Sequence, residues 1–216
     1  PAGENVYYYP SVSGSFVFSE LINTDWLDFG KLRAGWAQAT NDAPAYSVNN
    51  TVTAGDPFGS TPIYYISDTS QNPDLRPEET EEYEIGLEAQ MFNNRLGLDI
   101  SAYTKSTTDQ ILPVQVSPAS GFNFKYVNAG EMENKGIELA LYGSPIKTQD
   151  FEWNINVNWA KNENTVVSLF EGGENLLLFS AWSTAVNARK GEPYGTITGT
   201  DYIYDDAGRR VVGSDG

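Results

Sequence analysis

Apolar and polar residues alternate along much of this chain, and the alternation comes in pairs of stretches. In 11–20, "SVSGSFVFSE", Val12, Gly14, Phe16 and Phe18 share one face, and Ser13, Ser15, Val17 and Ser19 the other. "LINTDWLD" reads as a tight turn. Alternation resumes over 29–39, with Gly30, Leu32, Ala34 and Trp36 opposite Lys31, Arg33, Gly35 and Ala37. In 82–91, Tyr83, Ile85, Leu87, Ala89 and Met91 oppose Glu82, Glu84, Gly86, Glu88 and Gln90. "FNNR" follows, and its Asn93-Asn94 tolerate the positive φ of a short hairpin turn. The return places Leu96, Leu98, Ile100 and Ala102 opposite Gly97, Asp99, Ser101 and Tyr103. Ile137, Leu139 and Leu141 alternate in "GIELALY". After the short connection "GSPIKTQD", Phe151, Trp153, Ile155, Val157 and Trp159 oppose Glu152, Asn154, Asn156, Asn158 and Ala160. A period of two over such lengths predicts strands with one apolar face.

The connections differ in kind. Residues 40–79 and 106–129 are rich in Asn, Asp, Pro, Gly, Ser and Thr and read as long loops, far beyond the usual ~4–6 residues. Residues 164–193 read as irregular, with an apolar knot "NLLLF". "YGTITGTDYIYDDAGRRVVG" reads as a further hairpin turning at Asp205-Asp206-Ala207-Gly208. Short and long connections alternate between strands of about 9–11 residues, the length a tilted strand needs to cross a bilayer. Two architectures fit the pattern: an outer-membrane barrel, with short turns on one rim and long loops on the other, and a soluble β-sandwich, which also alternates.

Composition narrows the function. Net charge is −16, from 29 acids against 13 bases. That excludes the basic footprint of a nucleic-acid binder and polybasic docking on anionic lipid. There is no cysteine and no histidine. Disulfides, thiolate metal sites, the ordinary zinc sites and His-dependent triads are therefore excluded. No apolar run approaches the ~20 residues of a membrane helix. The start "PAGENVYYYP" lacks an initiator Met and the end "RRVVGSDG" reads as mid-chain text, so the sequence is expected to be a piece of a longer protein.

The acidic leader between Asp68 and Glu88 raises the question of bound calcium. Asp68, Ser70, Asn72 and Glu79 have EF-hand spacing, but Pro73 stands where glycine is required and no helices flank it. A looser calcium site in the loop is the remaining possibility; otherwise no cofactor is expected. A carboxylate pair could serve a glycosidase, yet acids beside Lys31, Arg33 and Arg76 are more simply paired or solvated. Tyr46, Phe58, Tyr64, Tyr65, Phe122, Phe124 and Tyr126 could stack on sugars or grip peptide side chains; packing among loops is the simpler reading for each. Trp36, Trp153 and Trp159 read as membrane-interface residues. Asn49-Asn50-Thr51 is a sequon by pattern, and "GEPYG" (191–195) lacks the following helix of a phosphate loop.

Longer stretches carry a resemblance. "NPDLRPEETEEYEIGLEAQMFNNRLGLDISAYTKSTTDQIL" (72–112), "VNAGEMENKGIELAL" (127–141), "FEWNINVNWAKNENTVVSL" (151–169) and "RKGEPYGTITGTDYI" (189–203) resemble, in colinear order, SusC/RagA-type TonB-dependent outer-membrane transporters of Bacteroidetes. So do "YYYPSVSGSFVFSEL" and "WLDFGKLRAGWAQATND" near the start. The resemblance implies an all-β fold: a transmembrane antiparallel β-barrel. Residues 1–216 would supply about six to eight strands of a 22-stranded wall, with no plug, TonB box or terminal strand. It implies 40–79 and 106–129 on the outside, "FNNR" as a periplasmic turn, and Glu82, Glu84, Glu88, Asp99 and Tyr103 facing the lumen. Glu84, Glu88, Asp99, Tyr103, Tyr64, Tyr65, Phe122 and Phe124 are the expected substrate-facing residues, in the lumen or in the loops. It also implies the bacterial outer membrane, a glycan or oligopeptide ligand, a SusD-like lipoprotein partner, the TonB complex acting through a plug, and no enzymatic activity. The other readings are a secreted or surface carbohydrate-binding sandwich and an extracellular glycosidase.

Overall fold

The computed structural model describes residues 6–22, 24–170 and 172–212. The two chain ends, 1–5 and 213–216, lie outside the described residues, as do Asn23 in the first expected turn and Glu171. The strands are β1 (Ser11–Val17), β2 (Leu27–Asn41), β3 (Val52–Phe58), β4 (Thr61–Ile66), β5 (Thr69–Ser70), β6 (Glu78–Met91) and β7 (Leu96–Thr108), followed by β8 (Ile111–Gln115), β9 (Phe124–Asn128), β10 (Glu131–Lys147), β11 (Glu152–Ser168), β12 (Asn175–Ala181), β13 (Thr184–Arg189) and β14 (Thr196–Gly199). The wall is a six-stranded antiparallel sheet in the order β1-β2-β6-β7-β10-β11. It is a single layer, so each strand shows one face to either side.

Register sorts the side chains into rows. Phe16, Leu32, Leu87, Ile100, Leu139 and Trp159 form one apolar row across the whole wall. Gly14, Ala34, Ile85, Ala102, Ile137 and Lys161 form the next. The apolar set does not end on one row. On β2 it ends at Trp36, whose register mates on β10 and β11 are Lys135 and Glu163; on β11 it ends at Trp159. At the other end, β10 and β11 run beyond the row of Met91 and Leu96 to Trp153, with Phe151 just before β11. The apolar band therefore slips along the register from strand to strand, the stagger expected of strands tilted to a barrel axis.

The turns follow from their residues. At "FNNR", Phe92, Asn93 and Asn94 all have positive φ, at 59°, 56° and 58°. The two asparagines tolerate this readily, whereas Phe92 costs roughly 1–2 kcal/mol. Asp28 Oδ2 accepts from the Asn94 amide at 3.0 Å and ties this turn to β2. The β10–β11 turn closes with the Thr148 amide on the Phe151 carbonyl at 2.8 Å.

Four expectations are corrected. The wall strands other than β1 are longer than 9–11 residues, reaching 17 in β10 and β11, because the backbone ladder continues where the apolar alternation stops. Residues 18–21 are not strand but a 3₁₀ turn, which lays Phe18 over the gap at Gly30. The stretches 40–79 and 106–129 are ordered: β3 and β4 form a hairpin, and β5, β9 and β8 a small sheet. Their Gly, Pro and Asn residues mask this in the sequence. The stretch 164–193 holds the end of β11 and the strands β12 and β13, in a three-stranded sheet with β14. The hairpin at 205–208 is present, with Tyr204 bridged to Arg210.

The buried core sits at the long-loop end. Val114, Val166, Leu176 and Ala188 are buried together, with Leu112, Val127, Met132 and Phe170 packed against them. The acidic leader is fastened there. Asn128 accepts from the Arg76 amide at 2.7 Å and donates to the Arg76 and Asp109 carbonyls at 2.7 and 2.8 Å. Arg76 Nη2 meets Asp109 Oδ1 at 2.7 Å.

Candidate functional site: the polar face of the wall

The polar face carries Lys31, Arg33 and Gly35 on β2, then Glu82, Glu84, Gly86 and Glu88 on β6, and Asp99, Ser101, Tyr103 and Lys105 on β7. Asn134, Gly136 and Glu138 on β10 and Asn158 and Asn162 on β11 continue it. Lys31, Glu88 and Asp99 share one row, and Lys31 Nζ lies 2.5 Å from Glu88.

Two long side chains lie flat across a neighbouring strand. Arg33 lies over Gly86, where a Cβ would come within 2.5 Å of the guanidinium carbon. It crosses β6 and reaches β7, donating from Nη1 and Nη2 to the two oxygens of Asp99 at 3.0 and 2.8 Å. Its Nε donates to Glu84 at 3.3 Å. The planar fork of arginine suits this two-point grip, which a lysine could not make. Tyr103 lies over Gly136, where a Cβ would come within 2.4 Å of the ring. It crosses β10, and its hydroxyl donates to Asn162 Oδ1 on β11 at 3.2 Å. Both ties need a strand residue without a side chain. Beside them, Arg33, Glu82, Tyr103, Lys105, Asn134 and Glu138 line a groove of about 520 Å³. It can exchange hydrogen bonds and charge with a polar solute.

The structure brings four expected site residues, Glu84, Glu88, Asp99 and Tyr103, onto this face. The other four lie in the segments 40–79 and 106–129, away from this face. Tyr64 and Tyr65 are exposed on the β3–β4 hairpin, with Tyr65 lying over Gly55. Phe124 opens β9 and is 41% exposed; Phe122 precedes it, next to the turn at Ser120. Sequence reasoning missed Lys105, Asn134, Glu138 and Asn162. It also missed the signal that locates the ties: a glycine on a polar face, in register beside an Arg or Tyr.

Of the residues with EF-hand spacing, Asn72 and Glu79 have other side-chain partners, and Asp68 is bonded through its backbone. The Asp68 carbonyl accepts from Asn123 and Phe124 amides at 2.8 and 3.1 Å. The Asn72 side chain bonds Tyr126 and Asp74, and Glu79 accepts from Gln38. Among the described residues, no group of three or more acidic side chains is placed to hold a metal ion.

Residues 3–215 match the family described as TonB dependent receptor-like, beta-barrel. The chain belongs to the TonB-dependent receptor β-barrel family. It is 30% identical over 177 residues to TonB-dependent receptor P26 of Formosa agariphila, covering 77% of this chain and 18% of that protein. To TonB-dependent receptor SusC of Bacteroides thetaiotaomicron it is 30% identical over 200 residues, 84% of this chain and 20% of SusC. Among solved structures, the RagAB peptide importer in its closed-closed state matches with a TM-score of 0.79 at 26% identity, over 94% of this chain and 24% of that one. The RagAB peptide transporter matches with a TM-score of 0.76 at 28% identity, over 86% and 20%. The chain thus spans about a fifth of the length of the relatives it matches. These relatives are receptors and transporters. Within this family the single-layer wall is part of a closed barrel, and a β-sandwich is set aside.

Proposed function

We propose that this chain is wall and outer loops of an outer-membrane importer that takes up a bulky nutrient, an oligopeptide or a glycan. A SusD-like surface lipoprotein would deliver the ligand, and TonB would act through a plug. The reading rests on one observation above all: the wall is one layer thick, with a wide exposed apolar face on one side and a charged face on the other. From Tyr83 to Met91 a strand advances about 27 Å at roughly 3.4 Å per residue. At a barrel tilt of about 40° that covers roughly 20 Å of height, close to the ~25 Å apolar band of outer-membrane barrels. Aromatics edge the band: Trp36 and Trp159 at the long-loop end, Trp26, Phe92, Phe151 and Trp153 at the short-turn end, each of the last four about half exposed. The name of the RagAB peptide importer supports peptide as cargo. The polar groove offers hydrogen bonds and charge of both signs, which suits a peptide backbone or a sugar, and no residue is assigned a catalytic role.

The test is uptake of labelled oligopeptides and oligosaccharides by cells with and without the complete importer, before and after the proton gradient is collapsed. Uptake that needs both the protein and the gradient is expected. Uptake indifferent to the gradient, or a protein that stays monodisperse in buffer without detergent, would overturn the reading.

A further inference from the structure

The charges of the polar face do not balance. From the row of Lys31, Glu88 and Asp99 to the row of Glu82 and Lys105, the wall carries Glu82, Glu84, Glu88, Asp99 and Glu138 against Lys31, Arg33 and Lys105. Lys31 is taken by Glu88, and Arg33 by Asp99 and Glu84. Glu82 stands opposite Lys105 in register. Glu138 is left over. It is exposed, and among the described residues no ion pair or side-chain hydrogen bond reaches its carboxylate. Its register neighbours are Ser101 and Ala160, and Gly136 and Ala140 flank it on the same face of β10. All of these are small, so the carboxylate stands over an open floor. Two grooves, of about 520 and 480 Å³, share Arg33, Ser101 and Glu138 in their linings.

The surroundings give this carboxylate a chemistry. The Tyr103 ring lies flat over Gly136, beside Glu138, and its outer face is turned away from the sheet. Asn158 is the diagonal neighbour on β11, and its side-chain amide has no partner among the described residues. A carboxylate, an open aromatic face and a free amide oxygen are the parts that grip a guanidinium. Its fork pairs with the carboxylate while its plane stacks on the ring. An acidic group would find no counterpart here, because the cations of the face already stand with acids. A neutral sugar would leave the excess negative charge unanswered. The height also suits an encounter with cargo. Leu139, next to Glu138, pairs with Trp159, where the apolar band ends on β11. Glu138 therefore lies at the edge of the band nearest the long loops, the end from which cargo would enter.

We propose that Glu138, with the Tyr103 ring and Asn158, is a specificity site for an arginine side chain of an oligopeptide cargo. The proposal rests on the import reading above and narrows its cargo to basic peptides. The experiment measures binding of fluorophore-labelled nonapeptides to the detergent-solubilised complete importer by anisotropy at low salt. The peptides differ at one central residue: arginine, citrulline (the same shape without the charge) or glutamate. The wild type is expected to hold the arginine peptide about fivefold tighter than the citrulline peptide, the range of an exposed ion pair with a cation–π contact. The glutamate peptide should bind most weakly. Glu138→Gln should bring arginine and citrulline to within about twofold of each other. Glu163→Gln removes the same charge from the apolar side of the wall and should leave the arginine preference in place. Loss of the preference in that variant would trace it to net charge and overturn the site. Equal affinities in the wild type, or no binding of any of the three peptides, would overturn it without any variant having to fold. So would an arginine preference that survives Glu138→Gln. A basic side chain of the plug already seated on Glu138 would show as a lower unfolding temperature of that variant with peptide affinities unchanged, and would overturn it too. Gradient-driven uptake of a sugar with no discrimination among the peptides sinks this inference alone; uptake indifferent to the gradient sinks the import reading.

Discussion

Trp159 and Val166 lie on the same strand, yet Trp159 is 49% exposed and Val166 1%. The contrast separates the two regions of the molecule. On the wall, apolar side chains point away from the protein and a backbone ladder supplies the order. In the cluster at the long-loop end, Val166, Leu176, Val114 and Ala188 bury one another. A wall in lipid gains nothing from a core of its own, because the hydrocarbon around it is as apolar as leucine. The loops stand in water and must make a core from what they carry. Mutations should therefore read differently on β11 below and above this boundary.

The largest effect is expected in the cluster. Leu176→Ala should cost about 2–5 kcal/mol locally, seen as faster proteolysis within the 169–200 segment while the barrel keeps its heat-resistant migration. Leu139→Ala on the wall should cost at most about 0.6 kcal/mol, since lipid fills the space; equal losses at the two sites would erase the distinction. Next comes Gly136→Val, which drives a side chain into the Tyr103 ring and breaks its bond to Asn162. It should cost about 1–3 kcal/mol in denaturant unfolding from detergent, with no loss of the loop cluster's protease resistance. Arg33→Ala comes third. The pair with Asp99 is partly exposed, at 30% and 42%, and water screens it, so about 0.2–1 kcal/mol is expected; a larger loss would mean that the polar face is drier than its exposure implies. The smallest effect belongs to the exposed 203–211 hairpin. Bonds from the Arg209 backbone and side chain hold the Asp205 carboxyl below its usual range. A lowered folded value means the stabilisation is complete above the ordinary aspartate range and is lost as pH falls through the lowered value. Asp205→Asn should therefore speed amide exchange at Arg209 near neutral pH and make no difference in strong acid.

The wall was legible in the sequence because a period of two, sustained over Tyr83–Met91 or Phe151–Trp159, leaves little choice of face. The "FNNR" turn was legible for the same local reason. The loop sheets were not. β12 reads as "NLLLFSA", without clean alternation, because its register shifts between Leu177 and Phe179. β5 has two residues and pairs in parallel with β9, a contact that no local pattern encodes. The polar face was half legible. Its acids were placed on the right side, but Arg33 reaching over β6 to Asp99 depends on register between three strands. Tyr64, Tyr65, Phe122 and Phe124 were read as loop aromatics from the composition around them, and they lie in the loop sheets or beside them; the pairing that orders those loops was not legible.

The two flattened side chains also bear on the width of the passage. An arginine or tyrosine standing upright from a barrel wall would narrow the cross-section by its own length. Laid over Gly86 and Gly136, Arg33 and Tyr103 keep their polar groups on the charged face while rising little above the sheet. Under the proposed import function, that low profile would leave room for a cargo bulkier than an upright polar lining would admit.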